Sequence, residues 1–484
     1  MKDNRHYILI RNGTLVSAES ARQEELLVEE GKIVASGNFN PDDYPGCAIL
    51  DATGKYVIPG GFDPHVHLAL PTPAGNSCDD FISGSRAALE GGTTYVIDFV
   101  TPRRGQSLAE ALRLRRIEAA GSVAGCGLHM GISEWNPAIA REIIPLMERE
   151  GIRSFKAYLA YRETIGISYD ELGELMQIVG PAGGVVMVHC EEGEMISRLQ
   201  QQLLAGGKTR AAYHALARPP EAEYTAIAKV IGLSAKTGCP AYIVHTSTRQ
   251  GADLVATAKK EGIRVFGETC PHYLLLDESV YNEKLENLKV MPYVVSPPIR
   301  TKVDQERLWK GLTDGTFDVV STDHCPFNLH GQKDRGMHDF TKIPNGAGSL
   351  EYRMGLLYTY GVLTGRITLS QFVSLVSTRP AEIFGMGHRK GKLLPGYDAD
   401  IVIWDPENKA KISAANSIQQ CDSNIYEGFN IQGKAETVIL NGKFVIRHSS
   451  FIIQMTLFLP LCSRLRSSLP GSAKRLVNII AAMI

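Results

Sequence analysis

Two histidines spaced i and i+2, His65 and His67, lie in the run FDPHVHLAL. On a strand such residues share a face, so both imidazoles point the same way. Two neighbouring nitrogen donors suit a divalent transition ion such as zinc. Taken alone, the pair is equally compatible with ordinary surface or loop histidines, and the wider spread of ligand types has to decide. His189 ends GGVVMVHC, His245 ends CPAYIVH, and Asp323 closes FDVVSTD. Each follows a short apolar run and would stand at the carboxyl end of a different strand. A lone histidine there is more often a core or capping residue. Four histidines and an aspartate at equivalent strand ends point instead to a metal centre. Lys156, in SFKAYLAY, ends another such run. A lysine buried beside metal ions is pushed toward the neutral amine. A neutral amine can add carbon dioxide to become a carbamate, whose two oxygens could bridge two ions. The other reading is a lysine that snorkels to solvent.

The elements that must position these groups are legible in outline. From about Gly60 the texture alternates between strand and helix, with strands expected at Gly61–His67, Thr94–Phe99, Gly125–Met130, Ile152–Tyr158, Val185–His189, Ala241–His245, Arg264–Glu268 and Asp318–Asp323. Between them lie helical patterns such as LAEALRLRRIEAAGS, and a helical tract is expected from Gly348 to about Thr364. Eight strands alternating with helices give an α/β fold, a (β/α)8 TIM-like barrel, in preference to a doubly wound open sheet. The first sixty residues read as hairpins (HYILIRNGTLV, EELLVEEGKIVASG, GKYVIPG), and β texture returns after Leu394 in PGYDADIVIWDP and GKAETVILNGKFVI. These late strands are expected to join the early ones in a small β-sandwich domain built from both chain ends. The expected division is 1–58 and 391–448 for that domain, 59–390 for the barrel, and 449–484 for a tail.

The chain has 484 residues, a net charge of −1, 44% hydrophobic and 21% charged residues, the balance of a globular protein. No basic cluster precedes the last few dozen residues, so no nucleic-acid partner is expected. Nine cysteines without a CxxC pair favour reduced thiols and a cytoplasmic setting. The N-terminal run lacks a signal-peptide h-region, and no run reaches the ~18 apolar residues of a membrane span.

Several motifs together, GGFDPHVHLALP, CDDFISGSRAALEGGTTYVIDF, SFKAYLAY, VHCEEGE, VHTST, SPPIR, STDHCPFN and PNGAGSLE, resemble the dihydropyrimidinase/hydantoinase family of cyclic amidohydrolases. The resemblance runs from roughly residue 8 to residue 446, in order and in spacing. It implies two zinc ions, one held by His65, His67 and Asp323 and the other by His189 and His245, with carboxylated Lys156 between them. It further implies that Tyr161 hydrogen-bonds the substrate carbonyl as it becomes an oxyanion, that Asp323 moves the proton, and that Ser296 and Asn345 hold the cyclic diamide. The implied reaction opens a hydantoin or dihydropyrimidine ring to an N-carbamoyl amino acid, in a homo-oligomer, a tetramer or dimer.

Related functions differ from this one at identifiable positions. A dihydroorotase would need an arginine just after the His-x-His pair, where Leu68 and Ala69 stand. An allantoinase-type ureide hydrolase has similar ligands. A non-catalytic scaffold on the same fold would have lost the six ligand positions that are present here. The tail, with SSFIIQMTLFLPLC and AKRLVNIIAAMI, departs from the family, where a polar basic extension would stand.

Overall fold

The computed structural model describes residues 6–448. The atypical tail lies outside the described residues. Eight parallel strands follow one another around a closed sheet: β1 (Gly61–Val66), β2 (Thr93–Val100), β3 (Gly125–Gly131), β4 (Ser154–Tyr158), β5 (Val185–His189), β6 (Ala241–Ile243), β7 (Val265–Thr269) and β8 (Val319–Val320). A TIM barrel results. Strand eight, expected over six residues, is only two long. A bridge between Val66 and His324 carries the pairing past its end and closes the ring.

Alternation sorts the strand residues between two cores. Val186, Val188, Ala241, Ile243, Phe155 and Ala157 pack outward against the helices. Phe62, Ile97, Phe99, Val185, Met187, Tyr242, Val244 and Val319 form a separate cluster with Phe384 inside the barrel. The helices obey the matching 3.6-residue rule. Leu108–Ala119 starts at Ser107, whose hydroxyl accepts from the Glu110 amide, and buries Leu108, Ala111, Leu112 and Arg115. The tract beginning at Arg353 is an α-helix to Leu357 that continues as a π-helical turn, Tyr358–Val362.

Two further sheets share a core outside the barrel. One orders Lys32–Gly37, Glu25–Glu29, Tyr7–Arg11 and Ala48–Asp51; the other orders Lys443–Arg447, Asn430–Leu440, Ile401–Lys411, Tyr56–Pro59, Thr14–Val16 and Ala21–Gln23. Ile8, Val28, Val57, Ile401 and Ile439 meet in that core. No helix among the described residues is long and apolar enough to cross a membrane.

The seam between β8 and β1 has few ladder bonds, and a buried arginine compensates. Arg353 is wholly buried. Its Nη1 donates to the carbonyls of Phe62 on β1 and Val320 on β8 at 3.1 and 3.2 Å, and its Nη2 donates to Thr93 Oγ1 at 3.0 Å. Asp63, also wholly buried, lies 3.8 Å from Arg353 Nε. Removing the cation strands carbonyls and a carboxylate in the core. Arg353→Met should therefore lower unfolding free energy by about 3–5 kcal/mol in chemical denaturation. A change under 1 kcal/mol would show that the seam holds without it.

Candidate functional site

The carboxyl ends of the barrel strands surround one cavity of about 450 Å³, and all nine residues singled out in the sequence line it: His65, His67, Lys156, Tyr161, His189, His245, Ser296, Asp323 and Asn345. Lys156 on β4 and His189 at the end of β5 occupy inward-facing positions by alternation. His65 on β1 has the parity opposite to the inward Phe62 and reaches the cavity past a register irregularity between Asp63 and Val66. His245 is a different case. Tyr242 and Val244 face the interior, so strict alternation would send His245 outward. A left-handed backbone, φ 38°, turns it back into the cavity. Asp323 and Tyr161 also have positive φ, 49° and 59°. Such conformations cost roughly 1–3 kcal/mol each in a non-glycine residue and gather at functional sites.

The polar atoms meet closely. His65 Nε2 and His67 Nε2 each lie 3.2 Å from Asp323 Oδ1. His189 Nδ1 and His245 Nε2 are 3.0 Å apart. Metal–ligand bonds of 2.0–2.2 Å at a tetrahedral angle place ligand atoms about 3.3 Å from each other, so both groups have the spacing of a coordination edge. His65, His67 and Asp323 together form a group able to hold a metal ion. Several buried atoms have no hydrogen-bond partner: His67 Nδ1, His245 Nδ1, Lys156 Nζ and Ser296 Oγ. Buried polar atoms are seldom left so without a functional reason.

Surrounding carboxylates decide which ring nitrogens stay free. Glu268, at the end of β7, accepts from His65 Nδ1 at 2.7 Å and from the His245 amide at 2.9 Å, and its other oxygen accepts from the Tyr242 hydroxyl at 2.8 Å. His65 therefore carries its proton on Nδ1, and the Nε2 lone pair faces Asp323. Glu191 Oε2 lies 2.8 Å from His189 Nε2 and also accepts from Arg218 Nη1. Burial raises the Glu191 carboxyl, but Arg218 and His189 outweigh it and bring its pKa to about 2. His189 thus donates through Nε2 and turns Nδ1 inward.

Burial favours the uncharged imidazole at His67, His189 and His245. It lowers His67 to about 4 against the opposing pull of Asp323, and it carries His245 well below the ordinary range, with His189 adding to the effect. Burial also lowers the Lys156 ammonium to about 8, although Asp323 and Glu268 oppose it. Burial raises the Asp323 carboxyl, yet His65 and His67 outweigh that and hold it well below the usual range. The cavity therefore presents unprotonated nitrogen donors, an ionised aspartate and an amine with an accessible neutral form. That donor set fits divalent metal ions.

A third brace fixes the Asp323 loop. His324 Nε2 donates to Asp79 at 3.0 Å, while its Nδ1 accepts from the amides of Ser349 and Leu350 at 3.2 Å each. Glu268, Glu191 and Arg218 were not among the sequence candidates. Glu268 follows the same strand-end rule as the histidines, and Glu191 lies two residues past His189. Arg218 stands in no motif.

Residues 56–445 match the Amidohydrolase family. The chain is 42% identical to a D-hydantoinase of Geobacillus stearothermophilus, over 92% of this chain and 94% of that protein. Its fold superposes with a TM-score of 0.89 on the crystal structure of a dihydropyrimidinase from Brevibacillus agri NCHU1002, at 38% identity over 92% of this chain and 96% of that one. An L-hydantoinase (dihydropyrimidinase) from Arthrobacter aurescens gives a TM-score of 0.83 at 28% identity, covering 92% and 97%.

Glu268→Gln would replace an obligate acceptor with an amide that can also donate, and the His65 tautomer would no longer be fixed. Zinc affinity measured by equilibrium dialysis should fall about 10- to 100-fold. Unchanged affinity would remove Glu268 from the account of the site.

Proposed function

This chain belongs to the amidohydrolase family, and from that premise we propose that it hydrolyses the ring of a cyclic amide, a hydantoin or dihydropyrimidine, to an N-carbamoyl amino acid. The observation that carries the reading is the convergence of the six ligand-type side chains and Tyr161 on one cavity. Its volume suits a small cyclic substrate. Leu70, Pro71, Pro73 and Ile165 give one part of the wall an apolar character suited to a ring substituent. We take residues 59–390 as the catalytic unit and the two outer sheets as a small β-sandwich that supports it.

His65, His67 and Asp323 would hold one divalent ion, His189 and His245 a second, with zinc the expected metal at both. Lys156, neutral in part near its pKa of about 8, would add carbon dioxide and lie between them as a carbamate. When bound, such ions lower the pKa of water toward ~7 and polarise a carbonyl oxygen. The residues of the chain then divide the remaining work. Asp323, ionised and beside both histidines, accepts the proton of the attacking water and returns it to the leaving ring nitrogen. Tyr161 donates its hydroxyl hydrogen to the carbonyl oxygen as negative charge builds there. Ser296 and Asn345, which also line the cavity, orient the ring through its amide edge.

Lys156→Ala should lose both metal and turnover, and short carboxylic acids should restore part of each. Full activity at normal metal content in that variant would end the bridging role. A panel of dihydrouracil, hydantoin, 5-substituted hydantoins, allantoin and dihydroorotate on metal-quantified protein tests the substrate class. Turnover of allantoin alone would replace this reading with the ureide hydrolase.

A further inference from the structure

One guanidinium joins the tyrosine of the proposed oxyanion contact to the carboxylate behind a candidate metal ligand. Arg218 is buried, 2% exposed, just past the short helix His214–Ala217. Its Nη2 donates to the Tyr161 hydroxyl at 3.0 Å, its Nη1 donates to Glu191, and its central carbon lies 5.1 Å from the centre of the Tyr161 ring. The arginine is itself fixed. Its carbonyl accepts from Arg300 Nη1 at 2.6 Å, and Arg300 Nε donates to Ser247 at 3.1 Å.

A guanidinium can only donate, so the Tyr161 oxygen must be the acceptor of that bond. The hydroxyl hydrogen is then turned away from Arg218. Among the described residues no acceptor takes it, and the tyrosine borders the cavity. Without the arginine, the hydroxyl could rotate and donate to any acceptor within reach. The tyrosine backbone is held as firmly: the Tyr161 carbonyl accepts from the amides of Thr164, Ile165 and Gly166 at 3.0, 3.1 and 2.9 Å.

We propose that Arg218 is a positioning residue that aims the Tyr161 hydroxyl hydrogen at the substrate carbonyl and, through Glu191, locks the same geometry to His189. This rests on the reading of Tyr161 given above. The arginine touches no reacting atom. It acts by fixing the direction of one hydrogen and by placing positive charge near the oxygen where negative charge accumulates.

The test is a double-mutant cycle on a Glu191→Gln background, which avoids an unpaired buried carboxylate when the arginine is removed. In zinc-loaded protein, Arg218→Met and Tyr161→Phe should each lower kcat by about 100-fold, with KM within about threefold and zinc per chain unchanged. Together they should lose little more than either alone, because both remove one interaction. Losses that multiply, a loss carried by KM, or zinc falling in step with kcat would overturn the proposal. Should Tyr161→Phe keep full kcat, the tyrosine's role falls and this inference with it. Should it lose kcat while Arg218→Met does not, only the inference falls. If the Glu191→Gln background fails to load zinc, Arg218→Lys on the natural background replaces it. Lysine keeps the charge but lacks the fork that reaches both partners, so a loss in kcat at full zinc supports the proposal and full kcat overturns it.

Discussion

Glu268 has no exposure to solvent, and its two oxygens accept from three donors on two different stretches of chain. A carboxylate so placed cannot exchange its partners with water. It compels His65 to keep a proton on the outer nitrogen and a lone pair on the inner one. Glu191 imposes the same rule on His189. Burial completes the effect by keeping His67 and His245 uncharged. An inner shell of bare lone pairs follows, supported by an outer shell of carboxylates. Lone pairs crowded at about 3 Å repel one another in the absence of a cation, so the stability of the folded chain and the occupancy of its centre are linked quantities.

Much of this arrangement was visible in the sequence because a barrel turns strand ends into a common surface. His189 could be placed from its parity with Val185 and Met187, which share the barrel interior. His245 could not. Its own parity points the wrong way, and only the left-handed turn at that residue brings it inward. The expected strand Asp318–Asp323 is cut short because only Val319 and Val320 are apolar. After Val320 the chain leaves the ladder with β7 to deliver Asp323. Glu268 was within reach of the same argument. Arg218 was beyond it: its partners lie 27 and 57 residues away, and nothing local marks an arginine that serves a distant tyrosine. Ser296 and Asn345 sit beside Pro-Pro and Asn-Gly turns, whose composition carries no chemical signal. Only the family resemblance singled them out, and both line the cavity.

Arg115 shows how a packing residue can carry electrostatic duty. It belongs to the buried stripe of Leu108–Ala119 and reaches Asp98 on β2 with Nε at 2.9 Å. Asp98 in turn accepts the Leu68 amide at 2.7 Å, which anchors the chain immediately after His67. Burial raises the Asp98 carboxyl to about 6 although Arg115 opposes it. The segment leaving β1 is thus held from behind by an ion pair, just as the loop carrying Asp323 is held by Asp79 and His324.

The six-stranded outer sheet places Tyr56–Pro59 between Thr14–Val16 and Ile401–Lys411. During synthesis from the amino end, the first sixty residues emerge long before the strand that covers this edge. At about 5–20 residues per second the wait is on the order of tens of seconds. Throughout it, Tyr56–Pro59 exposes a row of unpaired amides and carbonyls open to any other extended segment. The whole barrel is translated within that interval. The four-stranded sheet of residues 7–51 lies wholly within the first sixty residues, so the edge left waiting for a late partner is that of Tyr56–Pro59.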